Sequence, residues 1–196
     1  MSTIDLIKQL REETGAGISD IKEALTVSNN DIEAAMAYLR KKGVSKAEKR
    51  QDRQTNQGVI ASYVHSNNKI AVLVELNCET DFVARNEEFQ NLARELALHI
   101  CANNPEFLSE NDVPENIRAE FEREVKNDPK FANKPENVLS QIVDSKVKTY
   151  AKEKSLLSQP YFRDSSKTID DLIKAFTAKC GEKIVVRRFI RWELGA

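Results

Sequence analysis

The sequence predicts an α+β protein: a small N-terminal three-helix module, then a core with a three-stranded antiparallel sheet, packed helices and a helical hairpin. Three observations predict it. Apolar residues recur at helical spacing through the first 43 positions. Two β-rich runs then flank a short polar turn. A last β-rich run closes the chain after a helical stripe. With 196 residues, 40% of them apolar, the chain can bury a substantial core, and 6 Gly with 5 Pro exclude low-complexity disorder.

In the module, Ile4, Ile7 and Leu10 fall near one helical face and Gly15 breaks the pattern. Ile18, Ile21 and Leu25 make the second helix. Asn30 can cap a third helix carrying Ile32, Ala35, Met36 and Leu39, and Gly43 is expected to end it. Residues 1–45 are thus one module. Between 40 and 53, basic residues outnumber acidic ones and apolar periodicity is lost, so residues 46–56 read as a basic linker, a solvated and partly helical tether.

The core then spans 57–196. Val59–Val64 and Ile70–Leu76 form a hairpin through Ser66-Asn67-Asn68. Phe89, Leu92, Ala93, Leu96 and Ile100 make a helical stripe that stops before Pro105. Residues 103–137 hold four of the five prolines, so they are loops around one charged helix near Glu115–Lys126. Pro135 suits the first position of a longer helix with Val138, Leu139, Ile142, Val143, Val147 and Tyr150; together these make a helical hairpin near 115–155. Thr168 caps a helix with Leu172, Ile173 and Phe176. Gly181 separates it from a strand at Ile184–Leu194, whose Arg187, Arg188 and Arg191 are expected on a solvent face or in an ion-pair ladder.

Several function classes are disfavoured. Thirty basic against 31 acidic residues leave a formal charge of −1, without the basic excess of a dedicated nucleic-acid binder. The uncharged apolar stretch Ile70–Val74 is far too short to cross a bilayer, and the first residues lack a secretory pattern, so a cytoplasmic protein without a membrane role is expected. Cys78, Cys101 and Cys180 form no CxxC pair and read as free thiols. His65 and His99 belong to no metal-ligand pattern, and there is no P-loop, GxSxG or GxGxxG. Cys78, His99 and Asp81 can be assembled into a thiol enzyme only on paper. No catalytic residue, metal or cofactor is assigned.

The segment Asn77-Cys78-Glu79-Thr80-Asp81-Phe82-Val83-Ala84-Arg85 sits where a strand hands over to a helix. Thr80 or Asp81 can cap that helix. Phe82 either covers the core or projects as an aromatic anchor, the residue type that dominates binding hot spots.

Thr80-Asp81-Phe82-Val83-Ala84-Arg85 resembles the signature of the elongation factor Ts family. Leu10-Arg11-Glu12-Glu13-Thr14-Gly15-Ala16-Gly17-Ile18, with Asp20, Lys22 and Ala24-Leu25, is similar to the family's other signature. Further matches are Lys134-Pro135-Glu136-Asn137-Val138, Gln159-Pro160-Tyr161 and Ser166-Lys167-Thr168, all in family order. The resemblance implies a guanine-nucleotide exchange factor for the GTPase elongation factor Tu. It implies a ubiquitin-associated-type module docking on the nucleotide-binding domain through Arg11, Gly17, Ile18 and Lys22. Thr80, Asp81, Phe82 and Val83 would then disturb the GTPase's magnesium and phosphate site. Ser19 and Arg85 stand where the resemblance leads one to expect a large apolar residue and a lysine. The single core subdomain implies a homodimer and a two-to-two complex. The competing reading is a nucleic-acid-binding protein using the basic segment 40–53, which lacks aromatic residues to stack on bases.

Overall fold

A computed structural model describes residues 3–48, 52–132 and 134–196, with backbone alone for residues 40 and 44–48. The fold is α+β. The chain divides into two units, Met1–Leu98 with Asp170–Ala196, and His99–Ile169.

The first unit begins with α1 (Thr3–Thr14), α2 (Ile18–Val27) and α3 (Ile32–Glu48). They pack around Leu6, Leu10, Ile21, Ala24, Leu25, Ala35 and Leu39, with Ile7, Ile32 and Met36 against that cluster. Each fully buried leucine or isoleucine stabilises such a small module by about 1.5–3 kcal/mol. Ile4 departs from the expected stripe and is exposed. Two residues turn an α-helix by about 200°, so Ile4 faces away from Leu6. The third helix is capped by Asp31, whose Oδ1 accepts from the Ala34 N–H at 2.8 Å. Asn30, expected as the cap, instead takes φ 64° in the preceding turn.

Gly43 does not end α3; the helix runs on to Glu48. A Cβ at Gly43 would lie 3.0 Å from Cβ of Ala178 in α8 (Ile169–Cys180), so this glycine allows two helices to approach closely. The expected linker therefore begins inside a helix, and its residues 49–51 lie outside the described residues.

The sheet has the expected three antiparallel strands in the order β1 (Gln57–Val64), β2 (Ile70–Cys78), β5 (Val185–Glu193). Val72, Val74, Leu76 and Cys78 of β2 and Val186 of β5 are buried on one face. On the other face Ser62, Leu73 and Ile190 lie in register, as do Val64, Ala71 and Trp192. A register shift between Glu75 and Leu76, which pair with Arg188 and Val186, leaves Arg187 as an extra residue. The three arginines of β5 therefore share no single face. Arg188 Nε pairs with Glu75 across the strands at 2.7 Å, while Arg191 is largely covered and holds Glu193.

After β2 comes a single turn, α4 (Asp81–Ala84), then α5 (Glu87–Asn103). Asn86 caps α5 by accepting from the Glu88 N–H at 2.8 Å. Phe89, Leu92, Ala93 and Leu96 are buried as the periodicity requires, with the Phe89 ring 6.1 Å from that of Phe176 in α8.

In the second unit α6 (Asn116–Asn127) and α7 (Glu136–Lys154) pack together. Arg118–Asp144 and Lys146–Glu124 ion pairs and an edge-on contact of Phe121 with Tyr150 join them. Pro135 is the N-cap of α7 rather than its first helical residue; its ψ of 151° is extended. A two-stranded ribbon, β3 (Pro160–Tyr161) with β4 (Asp164–Thr168), was not expected. His99, fully buried, donates from Nε2 to Gln159 at 2.9 Å, and Asn103 donates to its Nδ1 at 3.2 Å. Gln159 in turn donates to the Glu153 carbonyl at 2.7 Å. Burial pulls the His99 pKa below its ordinary value.

Candidate partner-binding site

The strand–helix corner is built from Thr80 outward. Its backbone is extended (φ −123°, ψ 157°), which stops β2, and its hydroxyl accepts from the Val83 N–H at 3.4 Å. The turn that follows holds itself with two backbone bonds, Ala84 N–H to Thr80 O and Arg85 N–H to Asp81 O. Only Ala84 of this turn is buried. Phe82 does not cover the core: it is 81% exposed. Asp81 beside it pairs with Arg85 at 3.0 Å on the surface, and Val83 is half-buried.

The corner is held from behind by residues that the sequence pattern did not single out. Glu182 Oε2 accepts from the backbone N–H groups of Glu79 (3.1 Å) and Thr80 (3.0 Å), and its Oε1 from the Thr80 hydroxyl (2.6 Å). Glu79 reciprocates, accepting from the Lys183 N–H at 2.6 Å and from Arg53 at 3.2 Å. Both anchors lie just before β5, about a hundred residues away in sequence, so local periodicity carries no trace of them.

Cys78, at the end of β2, is buried, and its thiol lies 3.1 Å from the Thr80 carbonyl. Burial pushes its pKa up to about 11, which removes the thiolate that nucleophilic chemistry would need. Among the described residues, no group of three His, Cys, Asp or Glu could hold a metal ion.

The four residues expected at the docking surface gather around the α1–α2 junction. Arg11 ends α1, Gly17 is the N-cap of α2, and Ile18 and Lys22 lie on its first turns; all four are exposed, Ile18 at 46%. Gly15 closes the junction at φ 64°, its N–H bonded to the Arg11 carbonyl. Lys179 of α8 lies against Gly15 and pairs with Glu88 at 2.7 Å, so the junction is tied to the first turn of α5. The α5 cap, Asn86, is only four residues beyond Phe82. The α1–α2 junction and the Phe82 corner are thereby linked through one helix end.

The basic segment 40–53 is partly spent within the chain. Lys42 pairs with Asp20 at 3.0 Å and with Glu23, and Arg53 pairs with Glu79. Lys49 and Arg50 lie outside the described residues. Among the described residues, no helix is long and apolar enough to cross a membrane.

A family model described as elongation factor TS matches residues 4–196. The chain is 50% identical over 195 residues to elongation factor Ts of Oleidesulfovibrio alaskensis, covering 99% of this chain and 98% of that one. It is 48% identical to elongation factor Ts of Coprothermobacter proteolyticus over 97% and 96% of the two chains. With elongation factor Ts of Thermosipho melanesiensis it shares 45% identity over the whole of both. A match over almost the whole length, with the strand–helix corner and the α1–α2 junction both inside it, is decisive: the chain belongs to the elongation factor Ts family.

Proposed function

We propose that the protein is a cytoplasmic guanine-nucleotide exchange factor of translation elongation, acting on elongation factor Tu without catalytic residues of its own. The observation that carries this reading is Phe82, an aromatic ring 81% exposed on a corner braced from behind. A free phenylalanine gains nothing for the isolated fold, whereas a rigid aromatic anchor suits insertion into a partner.

The work divides along the chain. Residues 1–45 dock on the GTPase's nucleotide-binding domain through Arg11, Gly17, Ile18 and Lys22. Segment 46–56 connects them to the core, 57–196, which presents Thr80, Asp81, Phe82 and Val83. Magnesium holds a bound nucleotide by bridging its phosphates and needs well-placed oxygen ligands. An aromatic wedge that shifts the elements carrying those ligands loosens both the ion and the nucleotide. Linkage sets the scale: a factor that binds the empty GTPase α-fold better than the loaded one weakens nucleotide binding by the same α. No proton transfer or covalent step is needed.

The factor acts as a homodimer in a two-to-two complex. Support comes from the outer sheet face, where Ile60, Val64, Leu73, Ile190 and Trp192 are all exposed. Val64, Ala71 and Trp192 lie in register across the three strands, with Leu73 opposite Ile190 beside them, and such a patch is of the kind that association covers.

The test is release of a fluorescent GDP analogue from elongation factor Tu. Wild-type protein accelerates release, and Phe82→Ala loses most of that acceleration while still binding. A wild-type protein that leaves the release rate unchanged overturns the exchange reading.

A further inference from the structure

We infer that Glu182 is the positioning residue of the Phe82 corner, an inference that rests on the exchange reading above. A turn of four residues holds its own geometry only weakly, because helix nucleation is unfavourable and most of its N–H groups lack partners within it. The α4 turn is such a piece, and Phe82 is its second residue. Its orientation has to come from outside.

Glu182 supplies that orientation. Its two oxygens take three hydrogen bonds from two consecutive residues, the N–H groups of Glu79 and Thr80 and the Thr80 hydroxyl. Bonds to a carboxylate are shorter and stronger than neutral ones. The hydroxyl bond selects the Thr80 rotamer. A hydroxyl has one hydrogen, and donating it to Glu182 leaves a lone pair free for the Val83 N–H. The chain of contacts runs Glu182, Thr80 side chain, Val83 N–H, and so brackets Phe82 on both sides. The reverse strut, Glu79 to the Lys183 N–H at 2.6 Å, prevents the two segments from sliding past each other. Both Glu182 oxygens are directed at the corner's backbone and the Thr80 hydroxyl, so it acts through Phe82.

The experiment measures GDP-analogue release from elongation factor Tu over a range of factor concentrations. Wild type, Glu182→Ala, Glu182→Gln, Phe82→Ala and the double variant Glu182→Ala/Phe82→Ala are compared, with amide hydrogen exchange at Glu79 and Thr80. Glu182→Ala is expected to lower the maximal release rate about tenfold with little change in half-saturating concentration, and to speed exchange of both amides. Glu182→Gln keeps an acceptor for the backbone pair and restores most of the rate. In the Phe82→Ala background the Glu182 substitution costs nothing further. Thr80→Val, which removes only the hydroxyl link, reproduces part of the loss and stands in for Glu182→Ala if that variant does not fold. Equal losses from Glu182→Ala with and without Phe82, or unchanged Glu79 and Thr80 amides, overturn the proposal. If wild type releases no GDP, the exchange reading fails by itself, and the amide measurement still decides whether Glu182 holds the corner.

Discussion

Lys179 lies across Gly15: a Cβ built on Gly15 would sit 2.5 Å from the Lys179 Cγ, while the same lysine's Nζ holds Glu88 at 2.7 Å. The glycine at φ 64° thus serves two purposes, a left-handed turn and room for a side chain that joins the three-helix module to α5 and α8.

Gly15→Ala is therefore expected to destabilise the protein by about 1–2 kcal/mol, from a left-handed alanine plus the push on Lys179. The Lys179–Glu88 pair is exposed and contributes little alone. Adding Lys179→Ala should recover only the steric part, leaving the backbone cost. Urea denaturation of the two single variants and the double variant checks this; a Gly15→Ala midpoint equal to wild type contradicts it.

Phe82 and Phe89 stand seven residues apart and in opposite environments, one 81% exposed, the other fully buried. Phe89→Ala is expected to cost about 3–5 kcal/mol, the range for emptying an aromatic site in a core. Phe82→Ala should change stability by no more than about 0.5 kcal/mol. Thermal melts of the pair, beside the GDP-release assay, separate a fold residue from a partner residue. A large melting loss in Phe82→Ala would mean that the ring packs somewhere in solution.

The strands and the corner were legible because their signals are local. Val59–Val64 and Ile70–Leu76 alternate or run apolar over strand length, and Thr80 followed by an α5 stripe marks a strand-to-helix change. Gly43 misled because glycine stops a helix and also permits a helix to be approached, and only Ala178, far along the chain, decides between the two. The β3–β4 ribbon was hidden by its two-residue first strand and the polar Asp164-Ser165-Ser166-Lys167 run. Glu182 was invisible because its role is set by residues 102 and 103 positions away.

His99 predicts a pH dependence of folding. Buried against Gln159 and Asn103, with the rings of Tyr161 and Phe162 6.4 and 6.0 Å away, it is held neutral and its folded pKa is depressed. The unfolded chain titrates near the ordinary histidine value of about 6.5. Below that pH the unfolded state binds the extra proton, so stability is full above about 6.5 and falls as pH drops, by at most about 1.4 kcal/mol per pH unit. Glu106 and Asp164, whose pKa values are lowered by Lys154 and Lys167, lose their contributions only at more acid pH, as each falls through its own carboxylate range. Urea midpoints between pH 7.5 and 5.5 should decline in wild type, and His99→Gln should flatten that slope whatever its absolute stability. Equal slopes would mean that His99 is protonated inside the fold.

Trp192 reports on the outer sheet face, since it is the only tryptophan of the chain and is 57% exposed. The run Ile70–Val74 is apolar on both faces of β2, the pattern of a strand covered on both sides. Within one chain Leu73 and Ile190 remain exposed on that outer face. A stable dimer needs about 800 Å² from each partner, and this exposed apolar face would form the centre of such an interface. Wild-type tryptophan emission should shift to the blue as concentration rises through the micromolar range, in step with a doubling of mass in sedimentation. Ile190→Glu, placed directly opposite Leu73, puts a charge at the centre of the patch and should keep emission red-shifted and mass monomeric at every concentration. A wild-type monomer at about 10-fold above micromolar concentration, with emission unchanged, would assign that face to a different partner, and the two-to-two complex would fall with it.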